Sequence, residues 1–124
     1  MRLLLDTQAI LFLLDDRPLP QVATEAMARL GTVGVVSVAS IWEMAVKAAV
    51  GKLDPPAELL DVLIEQRFEV LSIRLEHAYA TRELPMHHRD PFDRLLIAQA
   101  QAEHLPIVTG DPVFPAYDVR VIWS

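Results

Sequence analysis

Residues 87–111 read HHRDPFDRLLIAQAQAEHLPIVTGD, and this stretch decides the fold. Asp90-Pro91 is a typical helix start, because the aspartate accepts bonds from the first N–H groups and the proline's fixed φ suits the first turn. The helix is predicted over Phe92–Glu103. Pro106–Thr109 then forms a short apolar run, typical of a strand buried on both faces of a parallel sheet. A helix followed at once by such a strand predicts an α/β fold.

The same alternation of strand and helix continues through the rest of the chain. Strands are predicted at Arg2–Leu5, Gly34–Ser37, Phe68–Ile73, Pro106–Thr109 and Val119–Trp123. The other helices are predicted at Gln8–Leu14, Gln21–Leu30, Ser40 to Gly51, Ala57–Gln66 and Glu76–Glu83. The pattern predicts a three-layer α/β/α sandwich around a central parallel sheet of about four to five strands. With no repeat or linker, residues 1–124 are read as a single domain.

The composition limits the environment of the protein and its partners. The absence of cysteine excludes disulfides and thiolate metal sites and favours a cytoplasmic protein. No run approaches the roughly 18 apolar residues that a membrane span needs. A net charge of −6 disfavours a broad basic surface for nucleic acid, unless divalent cations dominate the local field.

The chain is also unusually apolar for its size. It is 52% hydrophobic, with a mean hydropathy of +0.28, which favours an additional buried interface. The helix beginning at Ser40 carries an apolar stripe that is predicted to be its buried face. That stripe consists of Trp42, Ala45, Val46, Ala49 and Val50. Trp42 and Phe92 are therefore assigned to core or dimer packing, and a homodimer or partner complex is expected.

Four acids stand where strands end or helices begin: Asp6, Glu43, Asp93 and Asp111. Each alone could be a helix cap, and Ser40-x-x-Glu43 has the form of a capping box. Together they can converge at one edge of a parallel sheet, where ligands of such folds bind. Clustered carboxylates in apolar segments repel one another, and either protonation or a divalent cation must relieve that repulsion. Oxygen ligands suit Mg²⁺ or Mn²⁺.

The chain resembles the PIN-domain family along the whole length of the chain, in particular the VapC-like toxins of bacterial toxin–antitoxin pairs, and three stretches in this order carry the resemblance. They are LLLDTQAILFLL, SVASIWEMAVKAAVGKL and HHRDPFDRLLIAQAQAEHLPIVTGD. The resemblance implies a metal-dependent endoribonuclease with one or two Mg²⁺ or Mn²⁺ ions. Asp6, Glu43 and Asp93 match the family's core acids and Asp111 its frequent fourth, so these four are the implied catalytic and metal-binding residues. Hydrolysis by metal-activated water would leave a 5′-phosphate and a 3′-hydroxyl.

Other residues near these acids are expected to orient them, cap helices or contact the substrate. Thr7, Ser37 and Thr109 fall beside the acids and are expected to orient them or to act as buried caps. Asp90 is expected to be an N-cap that can also tune the site. Arg89 and Arg94 could contact phosphate or neutralise the acids.

The histidine pair His87-His88 is interpreted as part of a solvated loop, with an acid or metal-ligand role as the alternative. A His88→Ala substitution is accordingly expected to matter little.

The resemblance also implies partners. These are an RNA substrate such as tRNA, a second copy of the chain, and an antitoxin that lays a hydrophobic segment across the active-site groove. Leu11–Leu14 is apolar around most of its helix, so one side must meet something besides the sheet.

Other function classes stay open to different degrees. A phosphoacceptor domain is disfavoured, because Asp6 lacks a neighbouring second acid and the last strand carries Arg120 instead of lysine. A non-catalytic binding module of the same fold remains possible in principle, since intact acids do not prove turnover. An RNA-processing nuclease outside a toxin system and a DNA nuclease also stay open, because no residue is seen to read the 2′-hydroxyl.

Overall fold

The computed structural model describes residues 1–124, with five strands and six α-helices. The strands are β1 (Arg2–Leu5), β2 (Val33–Ser37), β3 (Glu69–Leu71), β4 (Ile107–Val108) and β5 (Val121–Ile122). The helices are α1 (Thr7–Leu14), α2 (Gln21–Ala28), α3 (Val38–Ala49), α4 (Leu59–Glu65), α5 (Leu75–Ala80) and α6 (Pro91–Glu103). Short 3₁₀ turns occupy Thr81–Glu83 and Phe114–Ala116. The predicted α/β alternation is confirmed.

All neighbouring strands are parallel, in the order β3-β2-β1-β4-β5. In the central strand, Leu4 pairs with Val35 on one side and with Ile107 on the other. Leu4 packs into the core on one face of the sheet, while Leu3 and Leu5 pack into the core on the opposite face. Strand order reverses between β1 and β4, and ligands of open α/β sheets bind at the carboxyl ends of strands at such a point.

Helix α3 differs from its prediction at its start and in its orientation. Ser37 is its N-cap, with Oγ accepting from Ala39 N–H at 3.0 Å, so the predicted capping box from Ser40 does not form. The predicted buried face is wrong. The core-facing side carries Ala39, Ser40, Glu43 and Met44, whereas Trp42, Ala45, Val46, Ala49 and Val50 are all exposed. In this orientation Glu43 accepts a hydrogen bond from Thr7 on α1.

Helix α6 begins as predicted. The Asp90 side chain accepts from Phe92 N–H at 2.8 Å, and Pro91 occupies the first turn. None of the six helices has both the length and the apolar character that crossing a bilayer requires.

Candidate active site

A cleft of about 660 Å³ opens at the carboxyl ends of β1 and β4, and all four predicted acids line it. Its remaining walls are formed by Thr7, Gln8, Leu11, Phe12, Lys47, Lys52, Leu53, Asp90, Gly110 and Trp123. The acids reach it from four elements. Asp6 follows β1, Glu43 lies on α3, Asp93 is in the first turn of α6, and Asp111 follows β4.

Asp6 is buried and held through both carboxylate oxygens. Oδ1 accepts from Ala9 N–H at 2.8 Å as the N-cap of α1, and Oδ2 accepts from the Thr109 hydroxyl at 2.5 Å. Burial raises the pKa of Asp6 above its ordinary value, and these two hydrogen bonds offset the rise only in part. The nearby charges of Asp111 and Glu43 raise that pKa further. The Thr109 hydroxyl therefore helps to fix the orientation of the Asp6 carboxylate.

Glu43 is also buried and held on both oxygens. Thr7 Oγ1 donates to Oε1 at 2.6 Å, and Lys47 Nζ donates to Oε2 at 2.6 Å. The lysine lies one helical turn along α3, and its bond to Glu43 raises the pKa of Lys47. The pairing of Glu43 and Lys47 was visible in the sequence as an i,i+4 spacing. Thr7 thus orients an acid too.

Asp93 and Asp111 meet at His88. The imidazole Nε2 lies 2.9 Å from Asp111 Oδ2 and 3.1 Å from Asp93 Oδ2. Asp111 Oδ1 accepts from Val113 N–H at 2.9 Å. The interpretation of His88 as a solvated loop residue is wrong, because its side chain is largely buried against two of the acids. The sequence of the loop does not indicate this contact, because the contact depends on where the folded chain places Asp111 after β4.

The pKa of Asp93 is raised to about 7. Burial is the largest cause, followed by the negative charges of Asp90 and Glu43, while His88 acts in the opposite direction. Two of the four acids thus carry an elevated pKa, first because they are buried and then because other negative charges lie nearby.

The other predicted supporting residues divide between the cleft and the surrounding scaffold. Asp90 both caps α6 and lines the cleft. Ser37 lies elsewhere, since it caps α3 and donates to Gln99 Oε1 at 2.5 Å. Arg89 is exposed and forms no ion pair with an acid.

Arg94 also points away from the acids. Its guanidinium donates to the backbone carbonyls of Thr81, Leu84, Pro85 and His88. It therefore fixes the loop before α6 and does not neutralise a carboxylate.

The donor set fits a divalent metal ion. The acids supply only oxygen ligands, which Mg²⁺ and Mn²⁺ prefer. A carboxylate oxygen of Asp93 and one of Asp111 lie within 4.8 Å of each other. Hydrogen bonds already fix Asp6, Glu43 and Asp111, yet each carboxylate oxygen has further lone pairs for an ion. A cation would also relieve the repulsion between carboxylates, which adds to the effect of burial on the pKa of Asp6 and Asp93.

Comparison with known proteins places the chain in a family. The model of the PIN domain matches residues 3–120. No curated protein matches the chain by sequence. Similar solved structures include VapBC2 from Rickettsia felis bound to a promoter DNA fragment (TM-score 0.76, 18% identity, 100% of both chains covered). DNA-bound VapBC from Salmonella typhimurium has a TM-score of 0.69 at 19% identity, covering 98% of this chain and 96% of that one. A toxin–antitoxin complex from Klebsiella pneumoniae has a TM-score of 0.64 at 20% identity, covering 95% and 93%. The match of the family model over nearly the whole sequence shows that the chain belongs to the PIN domain family.

Proposed function

We propose that this PIN domain is a metal-dependent endoribonuclease and the toxin of a toxin–antitoxin pair. Asp6, Glu43, Asp93 and Asp111 hold one or two Mg²⁺ or Mn²⁺ ions in the cleft. The observation that carries the proposal is the convergence of four carboxylates from four elements on one partly buried cleft. Structural roles alone would not require that convergence, because a cap needs only its own helix.

A bound cation supplies a Lewis acid that lowers the pKa of water and offsets negative charge on the phosphodiester. The chain's own residues hold the ligands in place: Thr109 fixes Asp6, while Thr7 and Lys47 fix Glu43. Lys52 adds a second positive charge to the cleft wall, where it can attract the phosphate backbone.

An antitoxin partner is supported by the composition of the cleft wall. Leu11, Phe12 and Trp123 stand beside the acids, so an apolar peptide segment can cover the groove and exclude the substrate. A similar fold occurs in the toxin–antitoxin complex from Klebsiella pneumoniae. Coexpression with the product of a small adjacent gene would test this part, because an antitoxin should abolish both growth arrest and RNA cleavage.

The test of the nuclease is cleavage of total tRNA and a structured RNA by purified protein in Mg²⁺, Mn²⁺ or EDTA. We expect metal-dependent cuts with 5′-phosphate ends, and a loss of about 100-fold or more in Asp6→Asn and Asp93→Asn, because each removes a charge that holds the ion. Asp61→Asn removes an exposed carboxylate on α4 and should cleave like wild type.

Matched single-stranded DNA in the same assay separates a ribonuclease from a DNA nuclease. Full activity in EDTA, or in either cleft variant, would contradict the proposal. A folded protein that binds metal and cuts neither polymer would instead indicate a non-catalytic binding module.

A further inference from the structure

We propose that His88 is a positioning residue that holds Asp93 and Asp111 in the geometry that binds the cation. The inference deepens the proposed function and rests on it. Asp93 and Asp111 come from different elements, one from the first turn of α6 and the other from the segment after β4. The His88 imidazole lies within 3.1 Å of a carboxylate oxygen of each, so it links the two.

The hydrogen bonds of the imidazole define its tautomer. Nδ1 accepts from Asp90 N–H at 3.2 Å, and an accepting nitrogen carries no hydrogen, so Nε2 bears the ring proton. That proton is directed at the two acids, with Nε2 2.9 Å from Asp111 Oδ2. His88 therefore offers the carboxylates an N–H donor.

The rest of His88 is fixed by the surrounding structure. Its backbone N–H donates to Tyr117 Oη at 2.7 Å, and its carbonyl accepts from Arg94 at 3.2 Å. The ring stands edge-on to buried Phe114, with centroids 5.8 Å apart. Backbone, ring and Nδ1 are thus all held, and a donor on a rigid support can restrain the groups that it bonds.

His88 is the one side chain within hydrogen-bond distance of the Asp93 carboxylate. No other hydrogen bond or ion pair reaches the Asp93 carboxylate, whereas Asp6 and Glu43 each have two donors. Without His88, no donor would link Asp93 to Asp111, and an ion would have to order both carboxylates on binding. Partners that orient metal ligands in this way typically contribute about 10–100-fold to affinity or activity.

Titration of metal-free protein with MnCl₂ by calorimetry, together with melting in EDTA, tests the proposal. His88→Phe keeps a ring against Phe114 but has no donor, and we expect its Mn²⁺ dissociation constant to rise about 10–100-fold. His88→Gln keeps an N–H donor and should recover part of that loss. The control is Asp61→Asn, which removes an exposed carboxylate on α4 and should leave the constant unchanged.

Each outcome decides between defined alternatives. Wild-type affinity in a folded His88→Phe would overturn the positioning role, as would equal losses in the Phe and Gln variants. If wild type binds Mn²⁺ and Asp93→Asn weakens it while His88→Phe does not, this inference alone fails. If wild type binds no Mn²⁺ at all, the proposed function fails with it.

Discussion

At the residue scale, Asp93 couples the stability of the domain to pH. Its pKa of about 7 in the folded state lies above the ordinary value of 3.8, chiefly because the carboxyl is buried. Between these values the unfolded chain has released a proton that the folded chain retains. The stability contributed by Asp93 is therefore fully present below about pH 4 and is lost as the pH rises through about 7. Asp6 shifts in the same direction and for the same main reason.

We expect Asp93→Asn to stabilise the metal-free protein at pH 8, because an amide cannot ionise in this cleft. The gain should reach about 1 kcal/mol or more, which corresponds to about 4 °C in a domain of this size. The measurement is thermal unfolding in EDTA at pH 5 and pH 8, where the advantage over wild type should shrink at the lower pH. Asp61→Asn serves as the control, and an Asp93→Asn melting temperature at or below wild type at pH 8 would contradict the argument.

At the element scale, the turn that leaves β4 is shaped by the contact between Gly110 and Trp123. A Cβ built on Gly110 would lie 2.6 Å from the indole, closer than atoms can approach. The ring therefore packs directly on the backbone that joins Thr109 to Asp111. Trp123 also meets Phe12 edge-to-face at 5.7 Å, so this one side chain connects the end of the sheet to α1.

We expect Gly110→Ala to destabilise the domain by about 1–3 kcal/mol, because overpacking must move either the indole or the turn. Chemical denaturation of the single variant, Trp123→Ala and the double variant forms a cycle that checks this. The double variant should be more stable than the sum of the single effects predicts, since the clash disappears with the ring. Additive effects would show that the Trp123 indole is not what makes a side chain at residue 110 destabilising.

Sequence reasoning was effective for whole elements and weaker for their orientation. The convergence of the acids could be predicted because Asp6 and Asp111 follow strands and Asp93 lies in the first turn of a helix, positions that parallel topology gathers at one edge. Glu43 lies in the middle of α3 and reaches the same edge from there. The apolar stripe on α3 could not be assigned correctly, because periodicity identifies an apolar face without identifying what covers it. His88 and Arg94 belong to an irregular loop, and their contacts depend on where Asp111 and the carbonyls of residues 81–88 lie after folding.

At the scale of the whole molecule, the exposed apolar side of α3 is a candidate surface for the predicted homodimer. This α3 outer face consists of Val38, Trp42, Val46 and Val50, whose exposed fractions are 37%, 55%, 40% and 65%. Its tryptophan contacts Phe92 edge-to-face at 4.8 Å, next to Asp93. A partner bound to this face would therefore lie, through Trp42 and Phe92, next to the first turn of α6, which carries the proposed metal ligand Asp93.

We expect Val46→Glu to convert a dimer into a monomer, because a charge in the centre of the α3 outer face cannot be buried without a partner. Sedimentation equilibrium over a range of concentrations measures the change. Ile64→Glu places the same charge on an exposed apolar position of α4 and should leave association unaltered. Wild-type protein that sediments as a monomer throughout would remove the reason for assigning this face to self-association.

The hydrogen bond between Thr109 and Asp6 joins residues that are 103 positions apart. Before β4 is added, β1 is an edge strand of a β3-β2-β1 sheet, and neither Thr109 nor Asp111 is yet beside Asp6. The first acid of the cleft is thus synthesised near the beginning of the chain but acquires its second donor, the Thr109 hydroxyl, only after residue 109 has been translated and folded. The four-acid cleft is therefore completed late in translation, because Asp111 also follows β4.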